Sequence, residues 1–164
     1  MNIIAAVDSS WGIGKNNQLL FNVSQDKKYF REMTTGKTII MGRKTFESLP
    51  CGPLPGRDNI VLSHSSDFDN SSEITVCHSF EEIKNIIKYI DPDDIFVIGG
   101  EEIYKLFISL CDTAYITKIS SFFPADKHMI NLDENNEWKR ISCSECYYFN
   151  NTAFRFAVYK RNNI

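Results

Sequence analysis

One acid, Asp26, falls on a stripe of sequence that should turn inward. A helix over 25–34 puts Asp26, Phe30 and Met33 on one face by their i, i+4, i+7 spacing, and leaves Lys27, Lys28, Arg31 and Glu32 to the remainder. An unpaired carboxylate is costly to bury, so an acid on that face needs a cationic or N–H partner. If a ligand supplies the partner, an amidine-like edge that meets both oxygens is the strong geometry. The alternative is an acid that answers the helix macrodipole in a first turn and binds nothing. Two further stretches carry possible chemistry. In "TIIMGRKTFES" a strand stops at Gly42 and a helix opens with Arg43, Lys44 and Thr45, a combination that attracts a phosphomonoester such as the 2′-phosphate separating NADP from NAD. The competing reading is two solvated surface cations. In "FVIGGEEIYKLF" Gly99-Gly100 ends an apolar strand and opens a helix, as a pyrophosphate approach would require. A tight turn needing a positive φ would place glycine there too, and Glu101 and Glu102 would repel a phosphate at close range.

Several other patterns carry less. "WGIGKN" lacks both the P-loop consensus and the third glycine of a dinucleotide fingerprint, whose position holds Asn17; a mobile loop over a site fits it better. Cys143-x-x-Cys146 resembles half a metal or redox site, but on a predicted strand its side chains point to opposite faces, and no second pair exists. His64, His78 and His128 lie in no nucleophile motif, and no metal site is expected.

The elements that must position these residues alternate. Strands are predicted at 2–7, 37–41, 59–63, 74–77, 94–100 and 114–119, with helices at 25–34, 44–49, 79–90 and 101–110. Ser24 is a candidate cap for the first helix, and Ser79 with Glu82 forms a capping box for the third. Strands at 138–149 and 153–160 join at Asn150-Asn151 as a hairpin. The pattern predicts one α/β domain over 1–164: a central mixed, mainly parallel sheet, helices on both faces, and an antiparallel C-terminal hairpin. Ligands in such sheets bind beyond the carboxyl ends of the strands.

The chain's 164 residues suit one core, and with 43% apolar and 13% aromatic residues disorder is not expected. A net charge of −3 with interspersed signs gives no support for nucleic-acid or membrane binding. No apolar run reaches the length of a membrane span, and the start "MNIIAAVDSS" has no features of a secretory signal. Five cysteines, an odd number, read as free thiols in a reducing compartment, so a cytoplasmic location is expected and the N-x-S/T triplets at Asn22, Asn70 and Asn150 are chance matches.

Five blocks in order, "IIAAV" with "GIG", "LFNVSQD", "IIMGRKTFESL", "PLPGRDNIVLS" and "VIGGEEIYKLF", followed by "YITKI", resemble the dihydrofolate reductases over essentially the whole length. The resemblance implies NADPH-dependent reduction of 7,8-dihydrofolate, with hydride delivered to pterin C6 and a proton to N5. It implies further that Asp26 binds the 2-amino and ring N–H edge of the pterin, supported by the Thr117 hydroxyl. Phe30, Ile4, Ala5 and Ile98 would meet the pterin, Leu49 and Leu54 the benzoyl section, and Arg57 the glutamate α-carboxylate, a bidentate task suited to a planar fork. Leu19 and Phe21 would stand by the reacting atoms.

For the cofactor, the resemblance points to Gly42, Arg43, Lys44, Thr45, Leu62, Ser63 and His64 at the phosphates and adenosine. Ala6, Ile13, Gly14, Asn17 and Leu19 would lie near the nicotinamide, with Ile98 and Tyr104 flanking it and Glu101, Glu102 and Ile103 close by. Gly99-Gly100 would be joined by a cis peptide, and 12–23 would form a mobile loop that closes over the ring. Antifolate inhibitors and a monomeric state are also implied. The sequence departs from the family pattern where Leu20-Phe21 replaces a Pro-Trp pair and Ser24 a proline. Phe21 has no N–H to hold a water, so weaker water organisation is expected there. Lys27 stands where an apolar residue is common, and would lower the Asp26 pKa, reach the substrate's tail, or extend into solvent. "KHMI" after Asp126 departs from the usual ending, so the sequence leaves open whether 12–23 and 120–130 couple as in the family. A riboflavin-pathway pyrimidine reductase and a non-catalytic nucleotide-binding descendant are the alternatives.

Overall fold

The computed structural model describes residues 1–68 and 73–162. The Asn70 triplet lies outside the described residues. Eight strands form the path of the main sheet, β10-β12-β8-β1-β7-β4-β5-β6. In chain order they are β1 (Asn2–Val7), β4 (Thr38–Gly42), β5 (Asp58–Leu62), β6 (Ile74–Cys77), β7 (Ile95–Gly99), β8 (Thr113–Ile119), β10 (Trp138–Cys143) and β12 (Thr152–Arg161). From β8 to β6 every pairing is parallel, while β12 runs antiparallel to β8, β10 and the short β11 (Tyr147–Phe149). The sheet is therefore mixed and mainly parallel with an antiparallel end, as the alternation predicted.

Side chains alternate between its two faces, as a period of two requires. Ile3, Ile40, Ile60, Ile95 and Val97 pack with Ile83 and Ile87 of α3 (Phe80–Ile87) and with Ile103, Tyr104 and Phe107 of α4 (Glu101–Phe107). Their neighbours Ile4, Ile39, Met41, Val61 and Phe96 pack with Tyr29, Phe30 and Met33 of α1 (Ser24–Thr34) and Phe46 of α2 (Arg43–Glu47). Helices thus cover both faces, and the stripe predicted for α1 is the one that turns inward.

Local details differ from expectation at several points. Ser24 is the first residue of α1 rather than its cap; Val23 holds the cap position and offers no side-chain acceptor. At α3 the Ser79 hydroxyl does accept from the Glu82 N–H, but the Glu82 carboxylate reaches one residue further back, to the His78 N–H at 2.7 Å. The predicted strand 138–149 is broken, because Ser144 takes over the pairing with both main-chain groups of Phe156: its N–H donates to the Phe156 carbonyl and its Oγ accepts from the Phe156 N–H. That break removes the strand premise used for Cys143 and Cys146. Asn150 and Asn151 adopt φ of 45° and 62°, as a two-residue hairpin turn demands.

The loop expected over 12–23 contains order of its own. β2 (Gly12–Lys15) pairs with β3 (Gln18–Leu19) and with β9 (Lys127–His128), forming a second, three-stranded sheet. Asn16 and Asn17 make its turn at φ of 50° and 60°.

Candidate active site

The parallel register brings the carboxyl ends of β1, β4, β5, β7 and β8 to one edge. Gly42 faces Leu62, Met41 faces Gly99, and Ala6 faces Thr117. Residues far apart in the chain therefore meet there because each ends, or nearly ends, a strand.

Asp26 reaches this edge from the first turn of α1. It is half-buried, and none of the ion pairs among the described residues involves it. The Thr117 hydroxyl, itself 2% exposed, donates to Asp26 Oδ1 at 2.6 Å. Burial raises the Asp26 pKa above the ordinary aspartate value, and the Thr117 bond opposes that shift. Lys27 is exposed, which favours the two outward-reaching roles considered for it over a role at the acid. Two phenols feel the acid: burial first, then Tyr115 and Asp26, push Tyr29 up to about 12, and burial followed by Asp26 raises Tyr104. Tyr104 is held by donating to the Ile4 carbonyl at 2.9 Å.

Walls form around the acid. Ile4, Phe30, Leu49, Leu54 and Ile98 belong to one apolar cluster, together with Tyr29 and Met33 of α1. Ala5 packs on the opposite cluster and Ala6 on a third, where Phe21, 6% exposed, lies edge-on to Phe154 at 5.4 Å. Leu19 stands apart: it is 71% exposed on β3, and Leu20 is the residue that turns in toward Gly12.

Thr34 lies two helical turns beyond Asp26, roughly 12 Å along α1 at about 1.5 Å per residue, and Arg57 is fastened to it. The Arg57 Nε and one terminal nitrogen donate to Thr34 Oγ1, both at 3.1 Å, and the other terminal nitrogen donates to the Pro55 carbonyl at 2.7 Å. Asn59 fixes the loop that carries it, accepting from the Leu54 N–H and donating to the Leu54 and Arg57 carbonyls, each at 3.0 Å. No carboxylate pairs with Arg57 among the described residues; burial and the nearby Arg31 lower its pKa. A shallow cavity of about 230 Å³ lies beside it, lined by Pro53, Leu54, Asn59 and Glu73.

At the same strand edge the starts of α2 and α4 converge. A Cβ placed on Gly100 would come 3.4 Å from Thr45 Oγ1, and one on Gly42 would come 3.1 Å from Ile103 Cγ1. Two helix starts thus lie side by side, and the first N–H groups of a helix have no partner within it. The Gly99-Gly100 peptide is cis, and Gly99 has φ of +113°. Arg43 is paired with Glu47 at 2.7 Å, whereas Lys44 is exposed and forms no ion pair among the described residues. Ser63 is buried and His64 exposed, so the Ser63 side chain is less open than a surface contact would need. Glu101 is held by Lys105 at 2.7 Å, which lowers its pKa, while Glu102 remains exposed. Ile13 and Gly14 are half-buried and Asn17 is exposed.

Three groups were not read from the sequence. Thr34 anchors Arg57; a threonine near a helix end gives no such signal. Asn59 is the second. Asp8, 1% exposed, is the third, and it bears on the question the sequence left open: 12–23 and 120–130 are in contact. Asp126 accepts from the Asn16 N–H at 2.9 Å and donates its own N–H to the Gly14 carbonyl at 3.0 Å.

These strand ends, with a half-buried acid on α1 and two helix starts side by side, define an α/β protein of the kind that binds its ligands beyond the carboxyl ends of its strands. The particular family follows from likeness. The family model for dihydrofolate reductase matches residues 1–161. The dihydrofolate reductase of Bacillus subtilis (strain 168) is 36% identical over 166 residues, covering 99% of this chain and 95% of its own. That of Haemophilus influenzae is 39% identical over 138 residues, covering 84% and 82%. A solved structure of the Enterococcus faecalis dihydrofolate reductase, complexed with NADP(H) and RAB-propyl, superposes with a TM-score of 0.83 at 32% identity, covering 99% of this chain and 96% of that one. The chain belongs to the dihydrofolate reductase family.

Proposed function

We propose that this chain acts as one domain that reduces 7,8-dihydrofolate to 5,6,7,8-tetrahydrofolate with NADPH, and that Asp26 is its pterin-binding acid. The observation that carries the reading is the state of that acid: half-buried, bonded by one hydroxyl, and paired with no cation among the described residues. One carboxylate oxygen is occupied by Thr117, and the arrangement suits a partner with two adjacent N–H groups. The alternative reductase and the non-catalytic reading are not favoured, because the family and the acid's environment agree.

NADPH supplies the hydride when bound. The chain's own part is to receive, orient and protonate. Lys44, Thr45 and the convergent starts of α2 and α4 suit the phosphates, and Ala6, Ile13, Ile98 and Tyr104 suit the nicotinamide. The apolar wall of Phe30, Leu49, Leu54 and Ile98 suits the pterin and benzoyl rings, excluding water from the face that takes the hydride. A carboxyl whose pKa is raised by burial keeps a proton at higher pH than an ordinary aspartate and favours protonation at N5. Phe21 adds no donor there, so any water that relays the proton must be held by other groups. Arg57, anchored by Thr34 and paired with no acid among the described residues, suits the glutamate α-carboxylate, and the exposed Lys27 suits the substrate's tail. We further propose that the protein works as a cytoplasmic monomer and is bound by antifolates.

The test is the fall in absorbance at 340 nm when NADPH and dihydrofolate are mixed with the purified protein. Oxidation that requires both compounds is expected, and its absence at micromolar enzyme would overturn the proposal.

A further inference from the structure

Asp8 is a nearly fully buried carboxylate, and the proposed chemistry makes no use of it. It stands just past the end of β1 and divides its oxygens between two segments. Oδ1 accepts from the Ser10 N–H, the Ser10 hydroxyl and the Gly12 N–H at 2.9, 2.9 and 2.8 Å, which closes the turn leading into β2. Oδ2 accepts from the Phe123 N–H at 2.8 Å. Burial alone would raise its pKa, but these bonds outweigh that and hold the carboxyl below the ordinary aspartate value.

Phe123 opens the stretch that runs into β9, and further contacts follow along it. The Ala125 methyl lies 2.6 Å from where a Cβ on Gly12 would sit, so the two segments meet with no room for a side chain. Asp126 binds Gly14 and Asn16, and the Met129 N–H donates to the Trp11 carbonyl at 2.9 Å. On the other side, the His128 N–H donates to Glu101 Oε2 at 3.3 Å, at the first residue of α4. The stretch is therefore fastened between the β2–β3 hairpin and the helix that follows Gly99-Gly100.

We propose that Asp8 is a positioning residue for the cofactor side of the cleft: by holding the turn before β2 with one oxygen and Phe123 with the other, it fixes where the hairpin presents Ile13 beside the nicotinamide. The inference rests on the proposed NADPH site and adds a residue that touches neither ligand.

Asp8→Asn separates the two halves of this clamp. The amide oxygen can keep the three donors of the turn, which leaves the amide nitrogen facing the Phe123 N–H, donor against donor. The expected result is an NADPH Kd raised about tenfold and a single-turnover hydride-transfer rate lowered to a similar extent, the scale of one lost charge-assisted bond. The dihydrofolate Kd should stay within twofold. Ser10→Ala, which removes one donor from Oδ1 and leaves Oδ2 alone, should change neither ligand's Kd by more than twofold. An Asp8→Asn variant that binds NADPH within twofold of wild type, or that weakens both ligands equally, overturns the proposal. If that variant does not fold, amide exchange in the wild type decides: NADPH should slow exchange at Phe123 and Gly12, and unchanged exchange there overturns it. Wild-type protein that fails to bind NADPH would instead remove the functional reading underneath.

Discussion

Replacing Asp26 by Asn should separate stability from activity. Asn has the same shape, and its oxygen can still accept from Thr117, whose hydroxyl lies 2.6 Å from Asp26 Oδ1. Its nitrogen then points where the second carboxylate oxygen was and presents donors to the N–H edge of the pterin. One charge-assisted bond is lost, worth about 1.5–3 kcal/mol, and a donor–donor contact replaces it. The ionisable group that favours N5 protonation also disappears, a contribution of roughly 10²–10⁴ in rate. Taken as additive, these place the loss in kcat/KM at about 10³–10⁶, or about 4–8 kcal/mol. Stability moves the other way. Burial raises the acid's folded pKa, so the folded state binds this proton more tightly than the unfolded chain does. The stability it contributes is fully present below the ordinary aspartate pKa of about 3.9 and is lost as pH rises through the raised folded value. At neutral pH the ionised acid is a cost that Asn removes, so the variant should melt no earlier than wild type. The assays are steady-state turnover at 340 nm and thermal melts at pH 7 and near pH 4. Activity within fivefold of wild type, or a large drop in melting temperature at pH 7, would refute the reasoning.

Three further predictions come from neighbouring residues. Thr117→Val removes a donor that favours the ionised acid, so the inflection in kcat/KM against pH should move upward and kcat/KM at neutral pH should change by about tenfold; an unmoved inflection contradicts this. Arg57→Lys keeps the charge but loses the fork, so KM for dihydrofolate should rise about 10–100-fold with little change in kcat, and a pterin without the glutamate tail should show no difference. Gly99→Ala places a Cβ 3.1 Å from the Tyr104 ring at a φ of +113°, and should lower the unfolding free energy by about 2 kcal/mol or more in urea titration.

Much of the fold was legible because the chain uses short apolar strands and marked helices in alternation. The candidate site was proposed where a residue's type disagreed with its position: an acid on an apolar face, cations at a helix start, glycines ending the β7 strand. Those signals are local, and the parallel register then carries Ala6, Gly42, Leu62, Gly99 and Thr117 to one edge without further information. What could not be read depends on partners distant in sequence. Asp8 reads as an ordinary turn aspartate until Phe123 arrives 115 residues later. The second small sheet was missed for the same reason: β2 and β3 are too short and too polar to announce themselves, and they are ordered by β9 rather than by their own propensity. Ser144 broke a long strand because a side-chain oxygen replaced a main-chain acceptor, a competition that strand-forming neighbours conceal.

The most direct test is a crystal structure of the protein with NADP⁺ and folate. It should place both Asp26 oxygens within about 3.2 Å of the 2-amino group and the adjacent ring nitrogen of the pterin, with the nicotinamide against the heterocycle's face. A pterin seated elsewhere, or Asp26 turned away to pair with a lysine, would contradict the account.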